Sequence, residues 1–213
     1  MPRPTHPYLK GPVKGAFLYL YLVVDVFSRR IIGFAVHEEE SSEHASGLIC
    51  RCWQEAGCPE GLVLHSDNGG PMKGATLLAT LQWLGVTPSF SRPRVSDDNA
   101  FSEALFRTLK YRPSFSRRPF ASVENAHDWV TRFVDWYNTE HRHSAIRFVT
   151  PDDRYFGREA MLLTRRHQVY QRARARHSER WSRVTRNWTP AGPVRIGPSP
   201  NLTPAVQELK RIG

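Results

Sequence analysis

His65-Ser66-Asp67-Asn68-Gly69-Gly70 is the stretch on which the reading of this chain turns. Just before it, Gly61-Leu62-Val63-Leu64-His65 is short, apolar and opened by a glycine, the pattern of a buried strand. After it, two glycines and Pro71 end any ladder, because proline has no N–H to donate. Asp67 therefore stands where a strand passes into a loosened loop. In open α/β sheets ligands and metals collect at the carboxyl ends of strands. An Asp-Asn-Gly triplet is also ordinary turn chemistry, and on these residues alone both readings stand.

The 213 residues allow one sizeable core and a smaller appendage. With 40% hydrophobic and 23% charged residues, most of the chain is expected to fold. A net charge of +10 points to a polyanionic partner. The most apolar run, residues 16–27, is broken by Asp25 and is too short to span a bilayer, so no membrane partner is expected. Cys50, Cys52 and Cys58 lack the ligand spacing of a zinc site and read as reduced thiols.

Residues 1–14 hold four prolines and are read as an irregular leader. Residues 17–27 and 31–36 read as two strands joined by the turn at Ser28-Arg29-Arg30, with Asp25 bonding that turn's backbone or pairing with Arg29 or Arg30. A helix capped by Ser41 or Ser42 and closed by Gly57 follows, then the strand leading to Asp67. Residues 75–84 form a second helix closed by Gly85, and residues 86–90 a last short strand.

Past the loop Ser91–Asn99, in which Asp97, Asp98 or Asn99 can cap, a helix carries Asn99, Glu103, Arg107 and Lys110 along one polar stripe. Its bland interpretation is a solvated face with a Glu–Arg ion pair. Ser122 caps a long helix over residues 123–138, whose Trp129, Phe133, Trp136 and Tyr137 read as core. His141-Arg142-His143 can touch phosphate or cap that helix's carbonyls. Residues 154–186 contain ten arginines against Glu159 and Glu179, a basic helical arm suited to tracking phosphates. A loose tail ends in a short helix near residues 205–210.

Taken together, the stretch around Asp67, Ser91-Arg92-Pro93, Asp98-Asn99-Ala100-Phe101-Ser102-Glu103 and Thr108-Leu109-Lys110 resemble the catalytic core of insertion-sequence transposases. These belong to the retroviral-integrase superfamily, with its Asp, Asp, Glu active site. Thirty-five residues lie between Asp67 and Glu103, the spacing of that family's last two acids, and Lys110 fills its basic position seven residues on. Trp136-Tyr137-Asn138 through Arg142-His143 to Thr150-Pro151 looks like its end-of-core signature, and the arginine-rich tail like an extension seen in one branch.

The resemblance implies an α/β, RNase H-like mixed sheet flanked by helices, with a basic C-terminal helical extension. It divides the chain into a leader at 1–14, a core at 15–151 and the extension at 152–213. It implies two Mg²⁺ (or Mn²⁺) ions, with Asp67 binding one and Glu103 the other, for phosphodiester cleavage and strand transfer. Transposon-end and target DNA would be held by Arg92, Arg94, Asn99, Lys110, Arg112, Arg172, Arg174 and Arg176. A homo-oligomer on DNA, an intact transposase and an upstream helix-turn-helix protein are the implied partners. The implied location is the bacterial cytoplasm, at the nucleoid when DNA-bound.

One feature departs from the family. The place of its first Asp falls near Thr5, and no acidic residue precedes Asp25. The expectation is a core lacking its first strand and first acid, N-terminally truncated and inactive alone. The alternative is a non-catalytic DNA-binding remnant that pairs with or inhibits an intact transposase.

Overall fold

The computed structural model describes residues 8–93, 95–112, 115, 118–194 and 196. Three strands, β1 (Tyr8–Lys10), β2 (Phe17–Val24) and β3 (Ile31–His37), form an antiparallel sheet in that order. A second, parallel sheet pairs β4 (Val63–Ser66) with β5 (Thr87–Phe90). The expected mixture of parallel and antiparallel pairing is present, divided over two sheets. Arg94, the place near Thr5 and the short end helix lie outside the described residues.

The leader is corrected in part. Tyr8-Leu9-Lys10 pair with Tyr19, Leu18 and Phe17, so the first strand is not wholly missing. Pro7 and Pro12 bracket these residues but leave all three with an N–H to donate, and Leu9 is fully buried.

Period-two alternation along β2 explains the layers. Leu18 and Leu20, with Leu22 and Val24, pack with α3 (Ala100–Tyr111) and α4 (Val123–Thr139) through Leu105, Leu109, Val130, Phe133 and Tyr137. Tyr21 and Val23 face the other way, toward α1 (Ser42–Glu55) and α2 (Ala75–Leu84), where Ala45, Ile49, Leu77 and Leu81 are buried. The sheet is thus covered on both faces, which accounts for the nearly unbroken apolar run.

Local chemistry sets the helix ends. Ser41 Oγ accepts from the His44 amide, Ser122 Oγ from the Asn125 amide, and Gly85 closes α2 in the left-handed conformation at φ 68°. Gly33 allows α1 to approach β3, since a Cβ there would run into Cys52 Sγ. Beyond the core, α5 (Pro151–Tyr155) starts in a Thr150–Asp153 capping box, and α6 (Glu159–Arg176) packs Leu163 against Ile146, Val149 and Trp188.

Candidate active site

Because β4 and β5 run parallel, with Ser66 opposite Phe90, their carboxyl ends lie side by side. Asp67 follows one and Ser91 the other. The Ser91 amide donates to the Ser66 carbonyl at 2.9 Å, and Asn68 Nδ2 donates to the Ser91 carbonyl at 2.7 Å. Asp67 Oδ1 accepts from the Gly69 amide at 3.0 Å, the turn chemistry that the triplet allowed. The Gly69 amide thus holds the loop that presents this carboxylate.

The start of α3 is tied to the same strand ends. His65 bridges them, one ring nitrogen 3.0 Å from Ser89 Oγ and the other 3.0 Å from the Asp98 carbonyl. Asp98 does not cap α3. Its side chain, 5% exposed, accepts from Arg92 Nε and Nη2, both at 2.8 Å, and from the Arg92 amide at 2.9 Å. The forked guanidinium holds the Asp98 carboxyl far below the usual carboxylate range. Glu103 lies in the first turn of α3, next to this anchored end, and is exposed.

From the opposite side, Arg29 reaches α3 out of the β2–β3 turn. Its backbone is left-handed at φ 71° and its guanidinium lies over the Phe101 ring at 3.9 Å. It is 8% exposed, and Nε and Nη1 have no hydrogen-bond partner. Asp25 stays within that turn, accepting from the Phe27 amide at 3.3 Å and the Ser28 amide at 2.9 Å, as expected from its position.

The two sequence-predicted acids thus sit on elements that the structure ties together. Among the described residues, no group of three or more His, Cys, Asp or Glu side chains is gathered closely enough to hold a metal ion. The remaining predicted contacts are spread more widely. Lys110, Arg172 and Arg176 are exposed, while Asn99 and Arg174 are half-buried. Arg112 stacks over Trp136 at 3.8 Å, and Arg92 is half-exposed while serving as the partner of Asp98. The Glu103–Arg107 ion pair of the bland interpretation is absent among the described residues; Arg107 instead leans over the Tyr111 ring at 5.9 Å.

Sequence reading did not find the roles of His65, Arg29 and Asn138, whose side chain accepts from the Ile31 amide and donates to the Ile31 carbonyl. His65 carried a signal in its place at the strand end beside Asp67. Arg29 and Asn138 depend on contacts between distant parts of the chain, which no local pattern shows.

Comparison with known proteins agrees with this geometry. Residues 5–96 match an integrase core domain, and residues 84–151 match a second integrase core domain description. The transposase for insertion sequence element IS904 of Lactococcus lactis subsp. lactis is 31% identical over 147 residues, covering 67% of this chain and 56% of that protein. The chain belongs to the insertion-sequence transposases of the retroviral-integrase superfamily.

A second transposase relative, the putative transposase InsK for insertion sequence element IS150 of Escherichia coli, is 28% identical over 65% of this chain and 49% of its own length. The chain therefore spans about half the length of these curated relatives. A chain of the simian T-cell lymphotropic virus intasome, solved in complex with PP2A regulatory subunit B56 gamma, shares the fold. The TM-score is 0.53 at 16% identity, over 70% of this chain and 52% of that one. The transposase fold here is RNase H-like α/β. No helix among its described residues is long and apolar enough to cross a membrane.

Proposed function

We propose that this chain is the catalytic-core part of a DNA transposase, built for metal-dependent cleavage and strand transfer at phosphodiesters, and inactive by itself. One observation carries the reading. Asp67 stands at the carboxyl end of β4, and Glu103 stands in the first turn of the helix that His65 and Arg92 anchor to those strand ends. Carboxylates on separate elements suit hard cations such as Mg²⁺ or Mn²⁺. The donor set fits in kind, and among the described residues it offers two acids where the family's site has three. Asp25 does not fill the gap, being engaged by its own turn.

The core at 15–151 then serves as scaffold and the extension at 152–213 as a basic arm. DNA is held by phosphate contacts from Lys110, Arg112, Arg172, Arg174 and Arg176, with Arg92 and Asn99 near the site and Arg94 as a further candidate from the sequence. The partners in this reading are further copies of the chain on DNA, an intact transposase and a separate helix-turn-helix protein. The shortfall of carboxylates also favours a second reading, a non-catalytic DNA-binding partner that pairs with or inhibits an intact transposase.

Strand transfer from a pre-cleaved oligonucleotide in Mg²⁺ or Mn²⁺ tests the first reading, with Glu103→Gln as control. The expected result is DNA binding without product. Metal-dependent product that disappears in Glu103→Gln would show a complete site and overturn the claim of inactivity.

A further inference from the structure

Three large rings are half-exposed where the β2–β3 turn meets α5: Phe27 at 46%, Tyr155 at 42% and Phe156 at 55%. Each lies beside a guanidinium. Arg154 lies over Phe27 at 4.0 Å, and Arg158 over Phe156 at 5.2 Å. Arg30 serves two rings, 5.0 Å from Tyr155 and 5.5 Å from Phe156. Tyr155 and Phe156 meet edge to face at 5.1 Å.

All three cations are matched by carboxylates. Arg30 pairs with Asp152 at 2.7 Å, Arg154 with Glu159 at 3.2 Å and Arg158 with Asp153 at 3.3 Å. Their charges cancel within the cluster, although the chain as a whole carries +10. The cluster is therefore poorly suited to phosphate, which calls for guanidiniums free of acids. The ion pairs fix the guanidiniums and these fix the rings, so the aromatic faces are ordered before any ligand arrives. Exposed rings gathered in one place and rimmed by polar groups mark a binding surface.

The cluster also adjoins the candidate site. Arg30 follows Arg29, whose guanidinium lies over Phe101, two residues before Glu103 in α3. We propose that Phe27, Tyr155 and Phe156 form a stacking platform for unpaired nucleobases, which holds a single-stranded segment of DNA beside α3. This role rests on the chain binding DNA, as proposed for its function. A duplex keeps the faces of its bases within its own stack, so only an unpaired base can lie flat on these rings. Every base has such a face, so the platform accepts any sequence.

Fluorescence anisotropy on the full chain tests this with three probes: a blunt duplex, the same duplex carrying three unpaired thymidines, and the same duplex with three abasic residues in their place. The abasic probe keeps the added phosphates and removes the bases. Expected is binding of the thymidine probe at least about fivefold tighter than of the other two. Phe156→Leu, at the most exposed of the rings, should lose part of that preference. The triple variant Phe27→Leu, Tyr155→Leu, Phe156→Leu should lose all of it, while affinity for the blunt duplex and its salt slope stay as they were. Equal binding of the thymidine and abasic probes would overturn the platform and leave DNA binding intact, and so would a preference that survives the leucines. Binding of none of the three probes would overturn both.

Discussion

Asn138, near the end of α4, clasps the first residue of β3: it accepts from the Ile31 amide at 2.9 Å and donates to the Ile31 carbonyl at 3.0 Å. Both groups are buried, so neither has water to fall back on. Asn138→Leu should cost about 1–3 kcal/mol. At about 2–4 °C per kcal/mol for a chain of this size, thermal melting resolves that loss. Asn138→Asp, which buries a carboxylate and sets an oxygen against the Ile31 carbonyl, should cost at least as much. An unchanged denaturation midpoint in Asn138→Leu would refute the role.

Arg92 and Asp98 should behave as one unit. Arg92→Gln and Asp98→Asn are each expected to loosen the start of α3, and the double variant to be little worse than either. Additive losses in a double-mutant cycle would count against the pairing. The acid dependence has a definite sign. Asp98 is held ionised in the folded chain, so its contribution is present above the ordinary carboxylate range and declines as pH falls below it.

Gly33 is expected to resist even one added methyl. Gly33→Ala places a Cβ against Cys52 Sγ and 3.3 Å from Leu48 Cδ1. Overpacking of this kind costs about 1–3 kcal/mol. Cys52→Ala in the same background should restore part of the loss, and urea unfolding of the pair measures it. Failure of the second change to help would place the strain elsewhere.

A pH dependence should trace to His143. Burial, with His141 and Arg29 nearby, pushes its imidazole down to about 4. A base whose folded value lies below its unfolded one stabilises the fold above the unfolded value, and that stability fades as pH falls toward the folded one. The melting temperature should therefore drop from pH 6.5 to pH 5, and His143→Asn should flatten this slope. Asn can still accept from the Ala145 amide, which donates to His143 Nδ1 at 3.2 Å. An identical slope in the variant would exclude His143 as the source.

DNA affinity should fall steeply with salt if the basic arm follows phosphates. Replacing Arg172, Arg174 and Arg176 by Gln is expected to flatten the log–log slope by about 0.9 for each lost phosphate contact. Affinity titrations at several salt concentrations check this. An unaltered slope would move the contacts off α6.

Much of this architecture is legible in the residues because local signals and burial agree. Ser41, Ser122 and Gly85 mark helix ends by their own chemistry, and the Asp67–Glu103 spacing carries the family. The strand at Tyr8–Lys10 is harder to see, since prolines dominate its neighbourhood and three residues make no period. Asp98 shows the limit at the site. Its position invites a capping role, yet the Arg92 fork, six residues back, is the stronger partner. That choice is decided by the path of the loop, which neither residue reveals alone.

Arg154 has a consequence for how the chain is made. Its guanidinium is fully buried, 4.0 Å over the Phe27 ring and 3.2 Å from Glu159, and it donates to the carbonyls of Ala191 and Gly192. A buried cation cannot stand without such acceptors. During synthesis the core emerges first, and these carbonyls follow some forty residues after Arg154. Until then Arg154 and the aromatic ring beneath it stay wet, so the ribosome must deliver residues 191 and 192 before this corner of the molecule can close.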